Sequence, residues 1–324
     1  MPQIIALIDM DCFYVQVEQR ERPELWDKPC AVVQYNQWKK GSMIAVGYEA
    51  RKFGVKRNGM RGEEAQKLCP DINLVTVPTS RGKADLTKYR NASAEVFKVL
   101  NSFSPDEINV ERASIDEAYL DLTKFVEQKL NSSMTADDIS FENLCTTHVL
   151  IESETDDESR KDKLRRWLKG MCSTDVIQLQ LAIAAEVVEK IREQVQKETQ
   201  FFCSAGIGTS KTLAKLVCGK NKPRQQTVLP PKSLGILWKT VKIQSVRNLG
   251  GKLGQQLIQT SLVLKSGVRR GMSRSKGGED GNRRWKAGFV GGMLSRRLKG
   301  GGDGAGHTDH GPPTSFGDGS KTTS

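Results

Sequence analysis

The feature that most restricts this chain is an apolar run near its start, residues 4–9 (IIALID), that ends on the carboxylates Asp9 and Asp11. Six such residues suit a strand rather than a core helix. A buried strand seldom ends on clustered carboxylates unless a cation neutralises them, because unpaired buried charge is costly. About a hundred residues later, Ser114-Ile115-Asp116-Glu117-Ala118-Tyr119 adds two more carboxylates. The alternation over 112–122 predicts a strand pair that carries this motif near its turn. Two carboxylate sites on neighbouring strands can hold two Mg²⁺ ions roughly 4 Å apart, bridged by one shared aspartate. Such a pair stabilises the entering and leaving oxygens of a phosphoryl transfer. Capping of a strand end, or pairing with arginine, is the alternative reading of either motif taken alone.

The remaining pattern alternates strands and helices without a regular βαβ beat. A helix is predicted from Phe13 to Glu18, and a hairpin from strands at 31–34 and 44–46 around YNQWKKGS. Further helices are predicted at 62–68, 86–100 and 210–217, with a strand at 201–207. Val188, Ile191 and Val195 fall on one helical face. Residues 125–175 are polar. An acidic patch (Glu152, Glu154, Asp156, Asp157, Glu158) runs into basic 160–166, which reads as an insertion or linker with one marginal helix. The class predicted is α+β with an antiparallel sheet, not a doubly wound one.

Charge points the same way only weakly. The formal net charge is +12, which suits a polyanionic partner. From Gln259 onward, however, 12 Lys and Arg stand against 5 Asp and Glu, a net of +7, and that segment holds 16 of the 30 glycines. Its composition predicts a disordered tail over 259–324. No apolar run reaches 18 residues, and the chain enters its first strand without a basic leader or cleavage site, so neither a membrane span nor a signal peptide is expected. Seven scattered cysteines without a CxxC pair read as reduced thiols. His307 and His310 lie in Gly-rich sequence and read as incidental rather than zinc ligands.

Five ordered blocks together resemble the Y family of translesion-type DNA polymerases, in the wording of its eta branch. They are DMDCFY at 9–14, YEAR at 48–51 with GVKRNGM at 54–60, YRNAS at 89–93, SIDEAY at 114–119, and CSAGIG at 203–208 with Lys211, Lys215 and NKP at 221–223. The resemblance extends to about residue 258. It implies a right-hand polymerase fold: palm from 1–12 and 84–234, small fingers from 13–83, a partial thumb over 235–258 with a helix–hairpin–helix, and the tail beyond. It implies that Asp9, Asp116 and Glu117, with the Met10 carbonyl, hold two Mg²⁺ ions, Mn²⁺ being a substitute. Asp11 is left as a structural polar residue. Tyr48, Arg51 and Lys222 would hold the triphosphate of a deoxynucleotide, with the Cys12 and Phe13 amides as further donors. Gln34 and Arg57 would contact the template and incoming bases, and Tyr14 would be the steric gate against a ribose 2′-OH. Gly250, Gly251, Lys252 and Gly254 would grip a phosphate of the primer–template DNA. A nuclear location follows by the same resemblance. The family's sliding-clamp and ubiquitin-binding elements are not found in this sequence.

Two rivals belong to other classes. A haloacid-dehalogenase phosphohydrolase also opens with strand–DxD, but it wants Thr or Val four residues after the first Asp, where this chain has Phe13. The other is a fragment that binds DNA or partners without turnover.

Overall fold

In the computed structural model, which describes residues 2–34, 41–57, 59–132, 134–135, 138–155, 157–171 and 175–260, the first apolar run is the middle of the main sheet. Strand β1 (Ile5–Met10) is followed by α1 (Phe13–Glu21). Next come β2 (Cys30–Val33), β3 (Met43–Val46), α2 (Tyr48–Lys52), α3 (Gly62–Leu68) and β4 (Asn73–Thr76). A two-stranded ribbon, β5 (Thr79–Ser80) and β6 (Lys83–Ala84), leads into α4 (Thr87–Ser102). Then follow β7 (Asn109–Arg112), β8 (Glu117–Asp121), α5 (Thr123–Asn131), β9 (Thr147–Val149), α6 (Arg160–Lys169) and α7 (Val176–Thr199). The described part closes with β10 (Cys203–Gly208), α8 (Lys211–Cys218), β11 (Gln226–Val228), α9 (Leu234–Thr240) and a helical stretch at 252–260. No described helix is long and apolar enough to cross a membrane.

The main sheet has the order β7-β8-β1-β10-β11-β9. Its first four strands are antiparallel, but β10 pairs parallel with β11, and β11 with β9. The sheet is therefore mixed, where the sequence pattern predicted an antiparallel one. The reason is the β10–α8–β11 crossover, since only a connection of that kind lets successive strands run parallel. The second sheet, β3-β2-β4, is mixed as well.

Apart from Asp9, strand β1 is apolar because both of its faces are covered. Ala6, Ile8 and Met10 join the large core with residues of α1, α4 and α7, such as Phe13, Tyr89, Leu100 and Val188. Ile5 and Leu7, with Tyr119 of β8, pack on Ala214 and Cys218 of α8. Alternation along the strand puts Asp9 on this α8 side. Close approach of α8 is possible because position 206 is glycine: a Cβ there would lie 2.1 Å from the Ala214 carbonyl oxygen and 2.5 Å from the Cys218 nitrogen. The β2–β3–β4 sheet has its own small core of Val33, Val46, Ala50, Val55, Ala65 and Ile72.

The stretch 125–175 differs from its reading as an insertion. It supplies the end of α5, a 3₁₀ turn at Phe141–Leu144, the sheet-edge strand β9 and the helix α6. Leu144, Leu164 and Trp167 are buried in the main core. Part of the acidic patch is paired locally: Arg166 meets Glu158 at 2.9 Å and Glu154 at 3.4 Å. High charge density masked three apolar anchors that are enough to dock the segment. The disordered-tail reading from 261 onward lies outside the described residues.

Candidate active site

The register of β1 against β8 puts Asp9 directly opposite Glu117, so both side chains leave the same face of the sheet. Asp116 precedes β8, and its carbonyl accepts the Met10 N–H at 2.9 Å. Strand pairing alone thus gathers the carboxylates of two motifs that lie far apart in sequence.

Each carboxylate has a partner of its own. Lys222 Nζ lies 2.5 Å from Asp9 Oδ1. Lys215, on α8, donates to both oxygens of Glu117 at 2.6 Å. Ser114 Oγ donates to Asp116 at 2.6 Å. Burial raises the Asp9 pKa to about 6; Lys222 opposes this, and the charges of Glu117 and Asp116 add to it. Burial works against the Lys222 ammonium, but Asp9, Cys218 and Asp11 together hold its pKa above the ordinary value. The carboxylates therefore feel one another, although among the described residues no three such side chains are gathered closely enough to hold a metal ion. Carboxylate oxygens of this kind suit a hard divalent cation; in this structure Lys222 and Lys215 sit on Asp9 and Glu117 instead.

Around this centre the other predicted residues fall unevenly. Tyr14, on α1, is half-buried with its ring edge-on to Tyr89 at 4.3 Å. Burial and then the Asp116 charge raise its pKa, while Arg57 and Arg90 lower it, so Tyr14 and Arg57 share the neighbourhood of the carboxylates. Cys12 caps α1 in the left-handed conformation (φ 40°) and turns the chain so that α1 starts beside Asp11. The first N–H groups of a helix lack intrahelical partners, so the amides near Cys12 and Phe13 suit an anion. Burial and the neighbouring Asp11 push the Cys12 thiol up to about 12. The Arg51 guanidinium stacks 4.6 Å over the Tyr48 ring and donates from Nε to the Val46 carbonyl. Lys222 is drawn to Asp9 and Asp11 rather than standing free. Gln34 is exposed just past β2, with its backbone N–H on the Ser42 carbonyl.

The predicted hairpin at 245–254 follows α9 and a 3₁₀ turn at Ile243–Ser245, and its last residues open a helix over 252–260. Gly254 is required by close approach: a Cβ there would stand 1.8 Å from the Leu249 carbonyl oxygen. Gly251 faces open space, and a Cβ at Gly250 would make only ordinary contact. Lys252 is exposed.

Two features escaped the sequence. Lys215 had no role assigned, yet it neutralises Glu117; its place one helical turn after Lys211, which pairs with Glu111, was the available signal. The second is the set of partners around Asp11, which come from segments remote in sequence.

Residues 8–219 match the family model described as the impB/mucB/samB family. The chain is 48% identical over 263 residues to DNA polymerase eta of Arabidopsis thaliana, covering 80% of this chain and 38% of that protein. It is 40% identical to DNA polymerase eta of Drosophila melanogaster, covering 80% and 30%, and 34% identical to DNA polymerase iota of Homo sapiens, covering 76% and 32%. The chain thus spans well under half the length of each of these relatives. The family match takes in both carboxylate motifs and all of α8, and the chain belongs to the impB/mucB/samB family.

Proposed function

We propose that the chain is the catalytic part of a nuclear, eta-type translesion DNA polymerase, which adds deoxynucleotides to a primer 3′-OH on a DNA template. The observation that carries this reading is the β1–β8 register, which sets Asp9 opposite Glu117 on one face, with Asp116 beside them and the Asp9 pKa raised. The main sheet with its helices would be the palm (1–12 and 84–234), the β2–β3–β4 unit the fingers (13–83), and 235–258 part of a thumb.

Asp9, Asp116 and Glu117, with the Met10 carbonyl, would hold two Mg²⁺ ions. When bound, such ions supply Lewis-acid stabilisation of charge on the entering and leaving oxygens. The protein's own groups do the positioning. Arg51 offers a planar fork and Lys222 a point charge to a triphosphate, the Tyr48 ring backs the Arg51 guanidinium, and the start of α1 offers backbone N–H donors. Lys222 changes partner in this account, leaving Asp9 for phosphate. The Tyr14 ring excludes a 2′-OH, and Gln34 and Arg57 meet the base pair. Gly250, Gly251, Lys252 and Gly254 contact the DNA backbone without reading sequence.

The test is primer extension with Mg²⁺. Asp116→Ala or Asp9→Ala should lower extension by at least about a hundredfold, with the circular dichroism of the parent retained. A folded variant that extends at the parental rate would refute the metal assignment.

A further inference from the structure

Asp11 belongs to the opening motif but has no part in the mechanism above, and its surroundings are unlike those of a spare surface carboxylate. It is 3% exposed. The Ser204 hydroxyl, from β10, lies 2.9 Å from both of its oxygens. The Tyr48 hydroxyl, from α2, donates to Oδ1 at 3.1 Å. The Arg224 backbone N–H donates to Oδ2 at 2.8 Å. Lys222 Nζ stands 3.6 Å from Oδ1. One buried carboxylate therefore ties together three segments that reach it from far along the chain.

Two of those segments carry the groups assigned to the triphosphate, and the third anchors the carboxylate to the main sheet. Tyr48 is held through its hydroxyl, and Arg51 stacks on the ring of Tyr48. Lys222 is held both by charge and by the fixing of Arg224, two residues on. Three hydrogen-bond donors and the Lys222 charge converge on this one carboxylate, which suits it to holding a geometry. We infer that Asp11 is a positioning residue: it presets Tyr48, Arg51 and Lys222 as one receptor for the triphosphate of the incoming nucleotide, without touching that nucleotide itself. The inference rests on the polymerase reading.

Asparagine is the sharp substitution, because it keeps the shape but turns one acceptor oxygen into a donor facing groups that donate. Loss of such preorganisation should appear in nucleotide affinity more than in turnover. Asp11→Asn in the full chain should raise the KM for deoxynucleotide by about tenfold and change kcat by less than about threefold, with primer–template affinity unchanged. Binding of a nonhydrolysable deoxynucleoside triphosphate, followed by calorimetry, should weaken by the same factor and needs no turnover. Tyr48→Phe should weaken binding in the parent but add little in the Asp11→Asn background, since the two groups act as a unit. Ser204→Ala, which loosens Asp11 from outside the site, should raise KM severalfold, and it decides the matter should Asp11→Asn fail to fold. A parental KM in Asp11→Asn or in Ser204→Ala, or fully multiplicative effects of Asp11→Asn and Tyr48→Phe, would overturn the role of Asp11. A parent chain that neither binds the triphosphate nor extends a primer would instead overturn the polymerase reading beneath it.

Discussion

Asp9 joins the chemistry of the site to its stability. Its carboxyl has a pKa near 6 in the fold against an ordinary 3.8, and burial is the main cause. Between those values the folded chain holds this proton more tightly than the unfolded chain does. The contribution of Asp9 to stability is therefore full below about pH 4 and is lost as pH rises through about 6. Asp9→Asn removes that loss. Relative to the parent, the variant should gain stability from about pH 4 to 6 and level off above, by on the order of 1–3 kcal/mol. Lys222 loses its nearest partner in this variant but keeps Asp11 at 3.6 Å. Urea midpoints of both proteins across this range give the answer, and parallel curves would mean that Lys222 offsets the burial of Asp9 completely. Tyr14 carries the second prediction at this scale. Its ring, braced edge-on by Tyr89, should set sugar choice by bulk, so Tyr14→Ala should raise ribonucleotide use relative to deoxynucleotide by at least about tenfold. Competitive single-nucleotide incorporation measures the ratio, and an unchanged ratio would place the gate elsewhere.

Among the elements, α6 shows how a charged sequence can hide a core helix. The segment Arg160–Lys169 is dominated by charge, yet Leu164 is fully buried and Trp167 is 7% exposed, its indole N–H on Gln178 Oε1 at 2.6 Å. Arg160 ties the start of the helix to β9 through the Thr147 carbonyl at 2.9 Å. If α6 is part of the common core, Trp167→Ala should destabilise the whole cooperative unit by about 3–5 kcal/mol. A loosely attached insertion would instead melt separately and leave the main transition in place. Thermal unfolding followed by both near-UV and far-UV circular dichroism distinguishes the two. Elements whose signal was local, such as α3 at Gly62–Leu68 and the β2–β3 hairpin, were legible in the sequence. Strand β9 was not, because three residues carry no usable period and its identity depends on pairing with β11.

For the whole molecule, the distribution of charge makes a prediction about DNA. Residues 259–324 carry a net +7 of the total +12, and each phosphate neutralised by Lys or Arg steepens the fall of affinity with salt. A chain ending at residue 258 should bind primer–template more weakly at low salt, and with a slope of log affinity against log salt shallower by a few units. Anisotropy titrations of the two chains between about 50 and 200 mM salt measure both quantities. Equal slopes would place the DNA contacts wholly on residues 1–258.

The sequence by itself determined that a buried strand ends on carboxylates and that a second acidic motif lies on another strand. It also carried the ordered blocks shared with the impB/mucB/samB family. These are local patterns of apolarity and residue type, which a linear reading can detect. Only the tertiary structure decided the partners. The pairing of Glu117 with Lys215, the capture of Lys222 by Asp9, and the meeting of Tyr48, Ser204 and Arg224 on Asp11 join residues about 40 to 200 positions apart. No periodicity encodes such contacts, because strand register and the approach of α8 over Gly206 choose among many cations of equal charge.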